Sequence, residues 1–433
     1  MSLFAIGVIG FILCFVLIFM RTPIYMAFAL VGFAGIAVVR GWDPAFTLIA
    51  TNPYGTASMY VWTVVPLFIF MGFLALHTDL AKEFFTGVQK WIGHFRGGLA
   101  LSVIVGNAGF GACTGVPIGA AVTFTALCLP EMRKFGYNDK LTLGAVAAGS
   151  NLSTLIPPSL GFILYGALTE NSVGQLFIAG VIPGVLLTLL FGLAIFLICW
   201  HDPSMGPPGV RVSWKERWNA GAGMWALIAV FVIIIGGIFI GLFTPTEAGG
   251  AGAFAVLAIG LLRRKLSWKN FVRTLRDTGI ATGQVGMLFI GTMVLNVFLV
   301  ITGVAANIAD FLGAITSSPT ATVWIIVIAV LILGCFIDAL ALTLIMIPIL
   351  YPIIVKMGID PIHFGVIFCI AMISGCITPP FGITVYAVAG VANDVPLFDI
   401  FVGCIPFLLA IFVLLVLVIH VPAISLFLPH MMY

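Results

Sequence analysis

Residues 129–159 read LPEMRKFGYNDKLTLGAVAAGSNLSTLIPPS, and residues 351–381 read YPIIVKMGIDPIHFGVIFCIAMISGCITPPF. At a constant offset of 222 residues, Pro130 pairs with Pro352, Lys134 with Lys356, Gly136 with Gly358, and Pro157 and Pro158 with Pro379 and Pro380. Further on, Asn171, Val173 and Ile178 pair with Asn393, Val395 and Ile400 at the same offset. Each copy places a Pro-Pro pair inside an apolar run. Proline removes a helix hydrogen bond, so the match marks two equivalent broken helices and not a shared hydrophobic composition. Repeats with discontinuous helices in corresponding places point to the binding site of a secondary transporter.

The surrounding composition sets the solvent. Of 433 residues, 62% are hydrophobic and 8% charged, against roughly 25% charged in soluble domains. Such a chain belongs in a bilayer, and a β-barrel would alternate polar with apolar residues. Nucleic-acid binding, extended disorder and a secreted disulfide scaffold are excluded. The 8 cysteines lie in apolar runs with no Cys-x-x-Cys pair and read as small core residues.

A spanning helix needs about 20 apolar residues, which predicts ten spans over 2–20, 22–39, 58–77, 141–166, 174–200, 223–243, 246–262, 279–303, 362–390 and 399–420. Two further stretches, 98–130 and 320–351, are too long for one span. Gly111, Thr114, Gly115 and Pro117 interrupt the first, and Gly334 and Asp338 the second. Both are expected to be re-entrant hairpins, with irregular backbone sheltered by protein or a water-filled cavity. Threaded from an outside N-terminus, this topology collects the basic residues on the cytoplasmic face. Arg21, Lys82, Lys90, Arg96, Arg133, Lys134, Lys140, Arg211, Lys215, Arg217, Arg263, Arg264, Lys265, Lys269, Arg273 and Arg276 fall there, leaving Arg40 and Lys356 outside. The two copies are then inverted about an axis in the membrane plane. The fold class is an all-α polytopic membrane protein with two re-entrant hairpins in two inverted repeats.

Four parts are expected: scaffold helices over 1–78, a first repeat over 79–200, a linker and central helices over 201–303, and a second repeat over 304–433. LAKEFFTGVQKWIGHFRGG (80–98) mixes apolar and basic residues at helical spacing and is predicted to lie on the cytoplasmic interface as an arm.

The first break is flanked by Ser150, Asn151, Ser153, Thr154, Pro157, Pro158 and Ser159, the second by Ser374, Gly375, Thr378, Pro379, Pro380, Gly382 and Thr384. Carbonyls and hydroxyls without a full carboxylate suit a hard monovalent cation, sodium before protons, because proton relays need intramembrane Asp, Glu or His. Half-helix N-termini at the breaks can face an anionic substrate group. Asp338 is the acidic residue deep in an apolar run, LILGCFIDALALTLIMIP, and is a functional position by default. Glu247 in FTPTEAGG fits a helix start instead, with Thr244 as cap and Pro245 in the first turn. Substrate contacts are expected from Ser150, Asn151, Pro157, Ser159, Asp338, Pro379 and Pro380. No nucleophile with its base and no metal-ligand cluster stands in any span, so an enzyme is not expected. No Gly-Lys-Ser/Thr phosphate loop occurs.

PEMRKFGY (130–137), LIPPS (155–159), ILYG (163–166), LFIAG (176–180), IPG (182–184), FTPTEA (243–248), DPIHFG (360–365) and TPPFG (378–382) together resemble the large membrane subunit, of DctM type, of tripartite ATP-independent periplasmic (TRAP) transporters. The resemblance covers nearly the whole chain. It implies a permease of the bacterial inner membrane for sodium symport of an organic anion such as a C4-dicarboxylate or a sulfonate, working as an elevator. Sodium is then the coupling ion and no cofactor is implied. It also implies two partners, a small four-helix membrane subunit and a periplasmic substrate-binding protein. Carried over by motif, one sodium site uses Thr114, Ser153, Ile156 and Pro158, and the other Gly334, Gly375, Thr378 and Phe381, largely through backbone carbonyls. The family's Ser-Gly-Ser-type first tip reads Cys113, Thr114, Gly115, Val116, Pro117 here, so Thr114 replaces one hydroxyl and the later ones are missing. An altered substrate choice is one explanation. The alternatives are a self-sufficient sodium:dicarboxylate symporter of the same inverted architecture, and a channel or assembly subunit without coupling.

Overall fold

The computed structural model describes residues 2–115 and 117–432, with every side chain among them except those of Val61, Ala112, Cys113, Thr114 and Ala222. Val116 and the Thr114 side chain, both expected at the first hairpin tip, therefore lie outside the described residues. Regular structure among the described residues is helical throughout.

The chain opens with α1 (Leu3–Phe19), α2 (Ile24–Arg40), α3 (Trp42–Ala57), α4 (Val64–His77) and α5 (Leu80–Ile92). The first hairpin is α6 (Gly98–Thr114) and α7 (Pro117–Lys134). The first broken span comprises α8 (Asp139–Ser150), α9 (Leu152–Leu155) and α10 (Leu160–Thr169), and α11 (Val173–His201) follows. In the centre stand α12 (Trp214–Phe231), a π-helical turn (Val232–Gly236), α13 (Gly237–Phe239), α14 (Pro245–Leu262) and α15 (Trp268–Ile301). The second repeat runs through α16 (Val304–Ile315), the hairpin α17 (Pro319–Gly334) and α18 (Ala339–Lys356), the broken span α19 (Pro361–Gly375) and α20 (Ile383–Ala389), α21 (Leu397–His420) and α22 (Ala423–His430).

The repeat therefore holds element by element: the 222-residue offset carries both ends of α7 onto both ends of α18. It also pairs the arm α5 with α16, which apolar runs alone did not reveal. Among the described residues six helical runs are long and apolar enough to cross a membrane, one of them the broken span Asp139–Thr169 taken whole and the others including α11, α15 and α21. Both hairpins are real reversals. Gly115, at φ +60°, ends α6 with its N–H on the Gly111 carbonyl at 3.1 Å, and Pro117 opens α7. At the other tip Asp338 caps α18.

Three helices depart from the predicted spans. WDPAFTLIATNPYGTA forms α3, although Pro44, Pro53 and its polar residues read as a loop; Asp43 sits in its first turn, and Phe33 of α2 meets Phe46 at a ring separation of 5.3 Å. The arm α16 lacks the basic residues that marked α5, and α22 is short. The expected start of α14 is as read. Thr244 and Glu247 form a capping box, with Thr244 N donating to Glu247 Oε2 at 2.8 Å and Glu247 N to Thr244 Oγ1 at 3.3 Å.

Glycine lets the central helices approach closely. A Cβ on Gly32 of α2 would fall 2.8 Å from the Leu295 amide of α15. The arm α5 is fixed to the end of α14 by Glu83, which pairs with Arg263 and, at 3.6 Å, with Lys265. Its Trp91 donates to the Arg217 carbonyl at 3.1 Å.

Candidate functional site

Helices broken at Pro-Pro pairs leave carbonyls without intrahelical partners, and the two hairpin tips sit on those breaks. A Cβ on Gly111 would lie 2.7 Å from Ser153 Cα, and one on Gly115 3.2 Å from the Pro158 oxygen. In the other repeat a Cβ on Gly375 would lie 2.6 Å from the Gly334 carbonyl carbon. Ser153 and Gly375 are related by the 222-residue offset, so each hairpin meets its broken helix at the same point of the repeat. Tight backbone contact there brings carbonyls of two segments together without side chains between them. Both Pro157–Pro158 and Pro379–Pro380 are cis.

The hydroxyls at the breaks donate inward. Ser150 Oγ bonds the Ala147 carbonyl at 2.9 Å, Ser153 Oγ the Ser150 carbonyl at 2.7 Å, and Ser159 Oγ the Thr154 carbonyl. Opposite, Ser374 Oγ bonds the Ala371 carbonyl at 2.5 Å and Thr378 Oγ1 the Ser374 carbonyl at 2.7 Å. A hydroxyl whose proton is engaged this way presents only lone pairs to anything else, which suits a cation and not a hydrogen-bond acceptor.

The two breaks differ in access. Ser150, Asn151, Ser153, Pro157, Pro158 and Ser159 are buried, with Ile156 partly so, whereas Pro379, Pro380 and Phe381 are exposed. Gly334, Asp338 and Phe381 share a cavity of about 290 Å³ with Phe336, Ile383 and Tyr386. Thr378 lines an adjoining groove of about 480 Å³ with Ser374, and Cys335 borders both spaces. Of the second predicted cation set, Gly334 touches Gly375 and lines the cavity with Phe381, while Thr378 lines the adjoining groove and its amide bonds the Gly375 carbonyl at 3.3 Å. Of the expected substrate residues, Asp338, Pro379 and Pro380 stand at the open break, and Ser150, Asn151, Pro157 and Ser159 lie in the interior.

Asp338 has a structural task as well as a partly buried place on the cavity wall. Its carboxylate accepts from the Leu340 amide at 2.9 Å, capping α18, and the same side chain lines the 290 Å³ cavity. Aromatic rings form much of the remaining wall, with Phe336 and Phe381 5.5 Å apart and Phe19 of α1 packed on Phe336 at 6.3 Å. Phe336 and Tyr386 escaped the sequence reading, because an aromatic residue in an apolar run looks like any other lipid-facing one. Among the described residues no group of three His, Cys, Asp or Glu could hold a metal ion.

Ion pairs tie the end of the first hairpin to the start of the first broken span and to the segment that leads into α21. Arg133 at the end of α7 holds Asp139 at 2.8 Å and Asp394, before α21, at 2.7 Å; Lys140 reaches Asp399 at 3.0 Å. The Arg133 hydrogen bond holds the Asp394 carboxyl below its ordinary range.

The chain matches the family model described as "Tripartite ATP-independent periplasmic transporter, DctM component" over residues 11–424. It is 31% identical over 403 residues to the C4-dicarboxylate TRAP transporter large permease protein of Pseudomonas aeruginosa, covering 92% of this chain and 93% of that one. It is also 31% identical over 416 residues to the sialic acid TRAP transporter large permease protein of Vibrio cholerae, covering 96% of each. Among solved structures, the Alcanivorax borkumensis YdaH transporter has a similar fold, with a TM-score of 0.64, 15% identity and 88% of each chain covered. A broken-helix repeat, two hairpins seated on its breaks and a family match over nearly the whole length converge: this multipass membrane chain belongs to the DctM component family of tripartite ATP-independent periplasmic transporters.

Proposed function

We propose that the chain is the large permease of a sodium-coupled importer in the bacterial inner membrane, carrying a small carboxylate or sulfonate solute. The observation that carries this reading is the seating of both glycine-bearing hairpin tips on the two Pro-Pro breaks, at Gly111–Ser153 and Gly334–Gly375. There, backbone carbonyls and inward-donating hydroxyls converge without a carboxylate cluster, the oxygen-rich environment that a hard cation prefers. Sodium is the transported coupling ion. One site comprises Ser153, Ile156, Pro158 and Thr114; the other comprises Gly334, Gly375, Phe381 and the Thr378 carbonyl. The solute binds beside the second site, in the cavity lined by Asp338, Phe336, Phe381 and Tyr386, with the exposed Pro379 and Pro380 immediately preceding Phe381 in the chain. Bound cations supply the positive charge that an acidic solute needs there.

Both hairpins, both broken helices and the ion pairs that brace them then form a transport domain. It slides as an elevator along a scaffold of α1–α4 and α12–α15, and the arms α5 and α16 join the two. The partners are a small membrane subunit, which enlarges the scaffold, and a periplasmic binding protein, which delivers the solute. Relatives named for C4-dicarboxylates and for sialic acid support a carboxylate and leave its identity to this chain's own cavity and binding protein. The test is uptake of a radiolabelled carboxylate panel into proteoliposomes containing the permease and its small subunit. Under an inward sodium gradient, accumulation is expected only when the cognate binding protein is added. Vigorous uptake by the permease alone would instead establish a self-sufficient symporter.

A further inference from the structure

One buried side-chain hydrogen bond crosses between the two breaks. Asn151 and Thr384 are both 0% exposed. Asn151 Nδ2 donates to the Ala147 carbonyl at 2.8 Å along its own helix, and to Thr384 Oγ1 at 3.1 Å in the other repeat. Thr384 Oγ1 gives its proton to the Cys376 carbonyl at 2.6 Å, and the Thr384 amide reaches the same carbonyl at 3.2 Å. With its one proton engaged, the Thr384 hydroxyl can only accept, which fixes the amide nitrogen of Asn151 toward it.

The ends of this bond lie beside the segments that carry the proposed sodium ligands. Asn151 stands at the join of α8 and α9, next to Leu152 and Ser153. Thr384 clasps Cys376, closing the loop whose members Thr378 and Phe381 contribute to the second site, and Cys376 follows the Gly375 that touches Gly334. The 222-residue offset pairs Asn151 with Ile373 and Thr384 with Phe162, so the repeat does not duplicate the bond. Asn151 Oδ1 and Thr154 Oγ1 have no hydrogen-bond partner. The carboxamide is therefore held through its nitrogen, and if Thr384 loses its hydroxyl only the contact to Ala147 within its own helix remains, with none across to the other repeat.

We propose that Asn151 and Thr384 are positioning residues that couple the two sodium sites, so that an ion in one raises the affinity of the other. The proposal rests on the sodium reading above. An ion drawing in the carbonyls of Gly375 and Phe381 moves the Cys376–Thr384 clasp, and the bond passes that movement to the α8–α9 join beside Ser153. Coupling between two sites is reciprocal and commonly amounts to about 5- to 150-fold in affinity.

The test is equilibrium binding of radiolabelled sodium to the purified full chain with its small subunit, at ionic strength held constant with choline chloride. The wild type is expected to bind cooperatively, with a Hill coefficient approaching about 2, the limit for two coupled sites. Thr384→Val is expected to bring the coefficient to about 1 and to weaken the second binding step by that same fold range while leaving the first unchanged, and Thr384→Ser to restore both. Should Thr384→Val fold poorly, Asn151→Leu with Thr384→Val removes both partners together. A jointly apolar pair leaves no orphaned amide and tolerates burial better, and it is expected to bind sodium without cooperativity. Saturable but non-cooperative wild-type binding, or a cooperative double variant, would overturn the coupling and leave the sodium reading standing. Absence of saturable sodium binding in the wild type would overturn both.

Discussion

Gly375→Ala would place a methyl carbon 2.6 Å from the Gly334 carbonyl carbon, 2.7 Å from its Cα and 2.9 Å from its oxygen. Those neighbours are backbone atoms at the end of the hairpin helix α17 and cannot swing away as a side chain would. To reach an ordinary contact of 3.4 Å, α17 and α19 must part by about 0.8 Å at this point. Overpacking of this kind costs roughly 1–3 kcal/mol. The displaced atoms belong to a proposed cation site, so the part of that cost falling on the occupied state weakens sodium by up to about 5- to 150-fold. The assay is thermal unfolding of the purified chain at increasing sodium chloride, balanced with choline chloride. The variant should melt lower in choline and need correspondingly more sodium for half-maximal stabilisation. Gly250→Ala is the control: nothing lies within 4 Å of that Cβ, and the change should be neutral or stabilising by about 0.5–1 kcal/mol. If Gly375→Ala behaves like Gly250→Ala in both melting point and sodium dependence, the close backbone seat is not the ion site.

Asp338→Ala should cost about 0.5–2 kcal/mol through loss of the α18 cap, while Asp338→Asn, which can still accept from Leu340, should stay within about 0.5 kcal/mol; denaturant unfolding separates the two, and equal losses would refute the capping role. The Asp394 carboxyl is held below its ordinary range by Arg133, so its contribution is full above the unfolded value and fades as pH falls through the folded one. Melting points at pH 7 and at pH 3–4 should therefore converge between wild type and Asp394→Asn as pH falls, and a difference that widens would contradict that sign. Thr244→Ala, which removes one half of the α14 capping box, should cost about 1 kcal/mol by the same unfolding measurement, with no change in sodium dependence.

The breaks and hairpins were legible because they depend on residues with strong local meaning. Pro157, Pro158, Pro379 and Pro380 cannot continue a helix, and Gly115, Gly334 and Asp338 interrupt runs that lipid would otherwise favour whole. α3 was not legible, since WDPAFTLIATNPYGTA owes its helix to packing against α2 and α15 and not to a long apolar run. Nor was the second arm, because α16 lacks the basic face that distinguishes α5. Within the site, chemistry by composition survived better than geometry. The oxygen-rich character of both breaks is visible in the sequence. That the first is buried, that the second opens on Asp338 and three aromatic or phenolic rings, and that Thr378 lines the adjoining groove are consequences of packing. The Asn151–Thr384 bond joins residues that the repeat offset does not relate, and only the assembled seam brings them together.

Solute accumulation under separate ion gradients bears most directly on the mechanism. The permease, its small subunit and its binding protein would be placed in proteoliposomes, with the carboxylate chosen by a thermal-shift screen of that binding protein. Accumulation above the external concentration is expected with an inward sodium gradient, and to disappear when choline replaces sodium or the gradient is collapsed. Equal accumulation without sodium, or accumulation driven by a proton gradient alone, would contradict sodium coupling at the two hairpin seats.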